Sequence, residues 1–263
     1  MDITIGADPE VFVTKNNKFV TAHNLIRGTK KEPYKVKCGA VQVDGMALEF
    51  NIDPSSNRKT FLLNIKTVLA TLESMVPEHS LSFDSVAYFN KEYLSSLPEE
   101  ATELGCDPDF NAWTGQINSS PDESVMFRTA AGHIHIGWTE GMLDDDPVHL
   151  DVCKRVVKQL DFYLGLPSII FDNETKRREL YGKAGAFRAK SYGVEYRVLS
   201  NKWLTSDTLI NWAYDNTISA LEDMRKEKEL VDKYGDIQEI INGSDFKRAK
   251  QIIEENKIGV PDV

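Results

Sequence analysis

The chain has 263 residues, of which 41% are hydrophobic, so it can bury a substantial core in one large domain or two small ones. Its formal net charge of −10 argues against a general nucleic-acid partner, which would require a basic surface. Three widely spaced cysteines (Cys38, Cys106 and Cys153) form no CxxC pair, which argues against a disulfide framework or a cysteine zinc site. The sequence shows neither a signal-peptide pattern nor an apolar run of membrane-spanning length. We therefore expect a soluble, cytoplasmic protein.

Four stretches alternate between apolar and ionisable residues with a period of two, as half-exposed β-strands do. In chain order they are GADPEVFV (6–13), MALEFNI (46–52), GHIHIGW (132–138) and GVEYRVL (193–199), with a weaker fifth case in AVQVDG (40–45). The polar positions hold acids and histidines, where an ordinary solvated strand face carries threonine, lysine and serine. The pattern predicts a sheet with one apolar face and one ionisable face.

Apolar residues three and four positions apart predict three helices among these strands. The first helix carries Leu62 to Val76, the second runs from about Pro147 and stops before Pro167, and the third begins at Ser206 or Asp207. No period survives between Pro98 and Arg128, which predicts a functional or disordered loop. The predicted fold is α+β: an antiparallel sheet whose apolar face is covered by helices and whose ionisable face lines a cleft. We expect one domain over residues 1–225, with residues 226–263 forming short peripheral helices as an extension of it.

If the ionisable strand faces meet, seven side chains share one surface: Asp8, Glu10, Asp44, Glu49, His133, His135 and Glu195. Five carboxylates packed together repel one another unless some are protonated or cations neutralise them. Oxygen-rich groups with an imidazole suit Mg²⁺ or Mn²⁺ better than a closed zinc site. A single D-x-E strand is more often a solvated surface, and a single H-x-H strand is an even choice. The joint occurrence on several strands predicts a metal site.

The one concentrated basic segment is KRRELYGKAGAFRAKSYGVEYR (176–197). Its glycines let backbone N–H groups approach an anion, and arginine forks fit phosphate oxygens. The segment is not a P-loop, and taken alone it could be a basic surface hairpin. However, it ends by placing Glu195 beside Arg197, so that phosphate-binding arginines adjoin the acidic face. This combination predicts a nucleoside-triphosphate site.

These residues together resemble a known family. IGADPEVFV, DGMALEFN, GHIHIG and VEYR are similar, in the same order, to the metal-binding strands of glutamine synthetases. GxDPE, DGxALE, GCDPDFNAW, GHIHIG and YGKAGAFRxKxYGVEYR more closely resemble the phage-type carboxylate–amine ligase (amidoligase) family of that superfamily. The motifs extend from Gly6 to Arg197. The resemblance implies a glutamine synthetase-like sheet and, for a phage-encoded chain, a location in the host cytoplasm.

The resemblance also implies ATP-dependent amide formation through an acyl phosphate, with Mg²⁺ or Mn²⁺ ions on the sheet. Carried over by position, Asp8, His133 and Glu195 would hold one ion, and Glu10, Glu49 and Asp44 a second, with Asp44 possible as an outer ligand. The expected catalytic residues are Arg188, Arg197 and Glu49. The expected nucleotide contacts are Arg178, Lys183, Arg188, Arg197 and His135, the last also able to orient substrate or metal-bound water. Asp8 departs from the family pattern of glutamine synthetases, which have a longer glutamate there.

Two other functional classes stay open from the sequence. A metal-dependent hydrolase could use the H-x-H strand and Glu195 to activate water, although it leaves the basic segment unexplained. A catalytically silent ATP-binding module would keep the same residues. The expected partners are a small-molecule or peptide carboxylate and an amine, with a modified base as the one nucleic-acid substrate left open. Asn111 and Trp113 could form a substrate or adenine wall or a structured surface turn, and the oligomeric state is not predicted.

Overall fold

The computed structural model describes residues 3–102, 109–118 and 125–261, so Cys106 and most of the GCDPD stretch lie outside the described residues. The strands are β1 (Thr4–Lys15), β2 (Lys18–Val20), β3 (Tyr34–Val36), β4 (Gly39–Asp44), β5 (Ala47–Ile52), β6 (Ser80–Ser82), β7 (Val86–Tyr88), β8 (Phe110–Asn111), β9 (Phe127–Thr129), β10 (Gly132–Gly137), β11 (Ala186–Lys190) and β12 (Gly193–Tyr196). All five stretches that alternate in the sequence form strands, which confirms that part of the prediction.

Within the described residues, one large sheet has the order β3-β4-β5-β1-β10-β12-β11-β8, and β2 and β6 pair with the far end of β1. The pairings between these strands are antiparallel. β7 and β9 form a separate antiparallel pair. The long central strand β1 therefore joins the strands that carry the acidic residues to the strand that carries the histidines.

The helices are α1 (Arg58–Met75), α2 (Lys91–Ser95), α3 (Glu99–Thr102), α4 (Pro147–Leu160), α5 (Leu166–Phe171), α6 (Arg177–Leu180), α7 (Asp207–Arg225), α8 (Ile237–Asn242) and α9 (Phe246–Asn256). A π-helical turn (Asp161–Gly165) joins α4 to α5, and a 3₁₀ turn (Asn201–Thr205) precedes α7. Each long predicted helix starts at a side-chain cap: Asn57, Asp146 and Ser206 accept the amide hydrogens of Thr60, His149 and Leu209. No helix among the described residues combines the length and apolarity needed to cross a membrane.

The helices pack on the apolar face of the sheet, as predicted. The core contains Leu48 and Phe50 of β5, Ile134 of β10, and Phe61 and Ile65 of α1, all shielded from solvent. The α+β prediction, an antiparallel sheet with a polar face and with helices on the other face, is confirmed. The polar face is left uncovered by these helices and can serve as the wall of a cavity.

Two helix predictions need correction in detail. The second helix, α4, ends at Leu160, before Pro167 as predicted, but the chain stays helical through the π-helical turn into α5, whose first turn contains Pro167. The C-terminal helices are not peripheral, because Ile237, Ile241 and Ile252 are completely or almost completely buried in the main core. The many charged residues of this segment suggested a peripheral position, but in α8 and α9 they flank a narrow apolar stripe that is buried.

The π-helical turn places a carboxylate in the core behind the sheet. Asp161 is fully buried and accepts hydrogen bonds from Trp113 Nε1 at 2.6 Å and from Tyr196 Oη at 2.8 Å. Burial raises the pKa of Asp161 to about 7, against the opposing effect of these two hydrogen bonds. Tyr196 lies between Glu195 and Arg197 in the sequence, so this network fixes the back of the strand that carries both.

We predict that Asp161→Ala lowers the free energy of unfolding by about 1–3 kcal/mol for each buried donor that it leaves without an acceptor. Asp161→Asn keeps an acceptor and should cost less. The folded-state pKa of Asp161 is raised from 3.8, so its stabilising contribution is complete below that value and is lost as the pH rises through about 7. Urea unfolding between about pH 5 and pH 8 should show this loss in the parent and less of it in Asp161→Asn. Equal pH dependence in both proteins would contradict the assignment.

Candidate active site

The polar side chains are gathered by strand register. In an antiparallel sheet, residues directly opposite each other project to the same side, and their side chains are in contact range. The opposed pairs are Asp8 with His133 (β1–β10), His135 with Glu195 (β10–β12), Arg188 with Glu195 (β11–β12), Glu10 with Glu49 (β1–β5) and Gln42 with Glu49 (β4–β5). Seven of the residues that the sequence singled out therefore share one face, in two adjacent clusters.

The first cluster contains Asp8, His135 and Glu195, each of which offers a ligand atom within 4.8 Å of the others. Asp8 Oδ1 lies 2.9 Å from His135 Nε2. Both atoms are buried, and the contacts of Asp8 Oδ1 with the two imidazoles are the only ones these atoms make to polar groups of the described residues. The other ring nitrogen of His135 contacts the Tyr192 hydroxyl, which orients the imidazole. Two buried ligand atoms that face each other beside a carboxylate fit a divalent cation.

His133 borders the same cluster. Its Nδ1 lies 3.2 Å from Asp8 Oδ1, 3.5 Å from Glu195 Oε1 and 3.4 Å from Arg197 Nη1. Burial and the Arg197 charge lower the pKa of His133 to about 4, so its imidazole is neutral at physiological pH, the form that binds a metal. The sequence assigned His133 to this ion and left His135 in a supporting role. The geometry brings His135 into the cluster of three ligand atoms and puts His133 against both carboxylates and an arginine.

Glu195 is neutralised from two sides. Arg197 Nη1 donates to its Oε1, and Lys190 Nζ lies 2.8 Å from its Oε2. Burial alone would raise the pKa of Glu195, but the charges of Arg197, His133 and His135 together outweigh it and lower the pKa to about 2. Burial would likewise raise the pKa of Asp8, yet His135 and His133 hold it well below its usual range. Both carboxylates of the first cluster are therefore ionised without a metal.

The second cluster contains Glu10, Asp44 and Glu49, whose ligand oxygens also lie within 4.8 Å of one another. Glu10 Oε2 accepts the Ala131 amide hydrogen at 2.8 Å, and Glu49 Oε2 accepts from Gln42 Nε2 at 2.9 Å. The one cation that forms an ion pair with this cluster within the described residues is Lys30, with its Nζ 2.7 Å from Asp44 Oδ1. Three carboxylates thus share a single nearby ammonium group.

The second cluster is consequently short of positive charge. Burial raises the pKa of Glu10 to about 7, and the Asp44 charge adds to this effect. The pKa of Glu49 is raised well above its usual value by burial and by the charges of Asp8, Asp44 and Glu10. A divalent cation would remove the repulsion that raises these pKa values, and three oxygen donors suit a hard ion such as Mg²⁺. The donor set therefore fits the predicted second ion, with Asp44 close enough to be a direct ligand.

A cavity of about 360 Å³ opens beside the two clusters. The acids in its walls are Asp8 of the first cluster and all three of the second, whereas His135 and Glu195 are not among its lining residues. His133 also lines it, together with Lys30, Arg128, Tyr181, Arg188, Lys190 and Arg197. Apolar side chains of Phe12, Met46 and Ala47 line another part of the wall. The cavity therefore combines carboxylates, several cations and a small apolar surface, as a site for an anionic substrate and metal ions requires.

Not every residue of the basic segment reaches this cavity. Arg188 and Arg197 line it, whereas Arg178 and Lys183 are not part of its walls. Arg178 is buried elsewhere, where its Nη1 donates to the Ser244 hydroxyl at 3.4 Å. Trp113 and Asn111 are also engaged internally, the first with Asp161 and the second with the backbone amides of Trp113 and Thr114. The structured turn, and not the adenine wall, is the alternative that these contacts favour for that pair.

Sequence reasoning missed several residues that line the cavity or contact other residues of the site. Lys30 and Asp109 come from segments without alternation, and each contacts the site through an ion pair, Lys30 with Asp44 and Asp109 with Arg197 (Oδ2 to Nε, 3.4 Å). Arg128 stands just before the histidine strand, and Tyr192 in the turn between β11 and β12. A signal was available for Lys190, which occupies the same strand face as Arg188, two residues away.

Three comparisons with known proteins bear on this site. Residues 124–239 match the family model described as "Phage phiEco32-like COOH.NH2 ligase-type 2", which confirms the family resemblance inferred from the motifs. Among solved structures, the chain is similar to one titled "GmaS/ADP complex-Conformation 1", with 8% sequence identity and a TM-score of 0.42. The likeness covers 99% of this chain and 72% of that chain, and it is too weak to support any argument about function. A search of the curated proteins finds no match.

We predict that Mg²⁺ or Mn²⁺ raises the melting temperature, because a ligand that binds only the folded state stabilises it. The folded-state pKa of Glu10 is raised from 4.5 to about 7, so its stabilising contribution is present below 4.5 and is lost as the pH rises through about 7. The metal-free melting temperature should therefore fall by several degrees between about pH 5 and pH 8, and the gain from metal should grow.

Glu49→Gln should reduce both effects, since it removes one of the repelling charges and one ligand. The matched control is Glu73→Gln on the exposed side of α1. Calorimetry or dye-based melting in chelator and in excess Mg²⁺ provides the measurement. A Glu49→Gln protein with the same metal gain as the parent would refute the second ion site.

Proposed function

We propose that the chain, whose residues 124–239 match the phage phiEco32-like COOH.NH2 ligase-type 2 model, forms an amide bond between a carboxylate and an amine with hydrolysis of ATP to ADP and phosphate. The observation that carries this proposal is a cavity in which Asp8 of the first cluster and all three acids of the second meet Arg188 and Arg197. Acidic clusters alone would equally suit a metal-dependent hydrolase. The adjacent arginines call for an anionic substrate of high charge, such as a triphosphate.

Activation of the carboxylate explains why phosphate is required. A carboxylate oxygen is a poor leaving group, so an amine cannot displace it directly. In the proposed reaction the carboxylate oxygen attacks the γ-phosphorus of ATP, the bond to the β-phosphate oxygen breaks, and ADP leaves. The amine nitrogen then attacks the acyl carbon, phosphate leaves with the bonding electrons, and the nitrogen loses a proton. The first step transfers a phosphoryl group and the second releases phosphate. In both steps the cavity must stabilise the negative charge on the phosphate oxygens.

The residues of this chain have distinct tasks in that reaction. Arg188 lies opposite Glu195 on β11, and Arg197 follows Glu195 by two residues, just past the end of β12; both would neutralise the equatorial oxygens of the phosphoryl group in transfer. Mg²⁺ or Mn²⁺ ions held by Asp8, Glu195 and the two histidines, and by Glu10, Asp44 and Glu49, would supply further positive charge to the phosphate oxygens. The Glu49 carboxylate, held by Gln42, is the proposed acceptor of the amine proton.

The hydrolase alternative makes a different use of the same first cluster. Asp8, His135 and Glu195 could hold a single ion that activates water. That reading assigns no purpose to the second cluster or to Arg188, and it predicts metal-dependent turnover that ATP does not affect. A catalytically silent module would bind ATP and metal without turnover.

The test is an ATP-consumption screen over pooled carboxylates and amines, with mass-spectrometric detection of products. We expect ADP and orthophosphate in step with the amide, and inhibition by a phosphinate analogue of the acyl phosphate once the acid is identified. The appearance of AMP and pyrophosphate in step with product would overturn the acyl-phosphate route. Turnover without ATP would instead establish the hydrolase.

We further predict that Arg188→Lys lowers ATP turnover by about tenfold or more, because lysine keeps the charge but loses the planar fork that meets two phosphate oxygens. Arg225→Lys, at the exposed end of α7, is the matched control and should retain full turnover. Melting temperatures of both variants check the fold. Equal losses in the two variants would mean that only the general electrostatic field matters.

A further inference from the structure

Arg128 differs from Arg197, another cation of the cavity, in that its hydrogen bonds go to backbone carbonyl groups. It lies on β9, lines the cavity wall and is 7% exposed. Three of its hydrogen bonds go to backbone carbonyls: Nη1 donates to Val125 at 2.9 Å and to Phe127 at 3.0 Å, and Nη2 donates to Thr102 at 2.8 Å. A guanidinium group has five N–H donors, so two are left over. The Nε–H is one of them, and it has no partner among the described residues although it is buried.

No carboxylate in the part of the chain that the structure describes balances the charge of Arg128. Arg197, which also lines the cavity, forms ion pairs with Glu195 and Asp109. Arg128 forms no ion pair with any carboxylate within residues 3–102, 109–118 and 125–261. Carbonyl groups satisfy hydrogen bonds but do not cancel a full positive charge, and a buried cation without a counter-ion is costly. The missing negative charge therefore fits a bound molecule.

The surroundings of Arg128 favour a small anion. Arg128 pairs with Ala87 of β7, and Ala87 belongs to a buried apolar cluster that includes Phe12, Met46 and Ala47 of the cavity wall. Apolar walls exclude water and strengthen a charge-assisted hydrogen bond. An uncompensated guanidinium in such a wall is suited to a carboxylate, whose planar oxygens match its fork.

The position of Arg128 along the chain separates it from the phosphate-binding arginines. Arg128 lies three residues before Ala131, whose amide donates a hydrogen bond to Glu10. The Cα atoms of Arg128 and Ala131 are therefore at most about 10 Å apart. Arg188 and Lys190 lie beside Glu195, in the first cluster. Arg128 consequently serves the Glu10–Glu49 part of the cavity, the part that holds the acceptor acid or amine in the proposed function.

We propose that Arg128 binds a second, unreacting carboxylate of the substrate, so that the substrate is a dicarboxylic acid or an α-amino acid, as opposed to a neutral amine, a polyamine or a simple monoacid. This inference rests on the proposed ligase function for the reacting group. It assigns to this chain a specificity-determining residue outside the motifs that define the acidic face. The proposal also fixes the distance between the unreacting carboxylate and the acidic cluster. It therefore predicts that the substrate has a preferred chain length.

The test compares dicarboxylic acids and α-amino acids of graded length with their monoamides, which have the same length and one charge fewer. Binding is measured by calorimetry with Mg²⁺ and a non-hydrolysable ATP analogue, and turnover by ADP release with an amine pool. We expect at least one diacid or amino acid to bind about tenfold or more tightly than its monoamide, because a charge-assisted hydrogen bond is lost. In Arg128→Gln the two affinities should converge, with an unchanged affinity for the ATP analogue.

Arg128→Lys keeps the charge and should keep the preference for the diacid, with weaker binding overall, which a purely structural role for Arg128 would not produce. Arg155→Gln, at an exposed ion pair on α4, is the control and should behave as the parent. Preference for the diacid that survives in Arg128→Gln would overturn the proposal, as would the absence of binding by every diacid and amino acid at millimolar concentration. Diacid binding without ATP turnover would refute the ligase function and leave the Arg128 subsite standing.

Discussion

The register of β1 against its two neighbours is the constraint on which the rest of the site depends. Asp8 opposes His133 on one side, and two residues later Glu10 opposes Glu49 on the other. Because side chains alternate with a period of two, a slip of one residue on either side would turn an entire set of ligands into the helical core. The apolar alternation that drives Val11 and Leu48 into the core therefore also fixes which acids meet. The strand pairing that folds this sheet therefore also brings the candidate metal-binding side chains together.

The two clusters deal differently with the repulsion that this register creates. In the first, the imidazoles and the charges of Arg197 and Lys190 surround Glu195 and keep its pKa low. In the second, one lysine serves three acids, and the pKa of Glu10 rises to about 7. One end of the cavity is thus ionised in advance, while the other remains underneutralised until a cation or a positively charged substrate group arrives. Such an asymmetry suits the proposed function, in which the site would hold a triphosphate at one end and join an acid to an amine at the other.

The helical layer supports this face from behind. Asp161, presented by the π-helical turn, receives hydrogen bonds from Tyr196 of β12 and from Trp113 beyond β8, and so ties two strands of the sheet to the helices. The C-terminal helices reach the same region, where the side chain of Asn242 accepts the Ala184 amide hydrogen at 2.8 Å next to β11. Strands that carry Glu195 and Arg188 are therefore held by buried polar contacts as well as by apolar packing. Rigid support of this kind preserves the geometry of charged groups that would otherwise move apart.

The sequence by itself determined the strands, their polar face and the starts of the three long helices, because alternation, three-to-four spacing and capping residues are local signals. It also brought Asp8, Glu10, Glu49 and Glu195 together, since motifs in a known order imply a known sheet. Only the tertiary structure decided which histidine completes a cluster, and that Arg178 faces Ser244 while Arg197 faces the cavity. Those outcomes depend on side-chain direction and on partners far away in the chain. The same holds for Lys30, Asp109 and Arg128, whose segments have no periodicity and enter the site only through long-range folding.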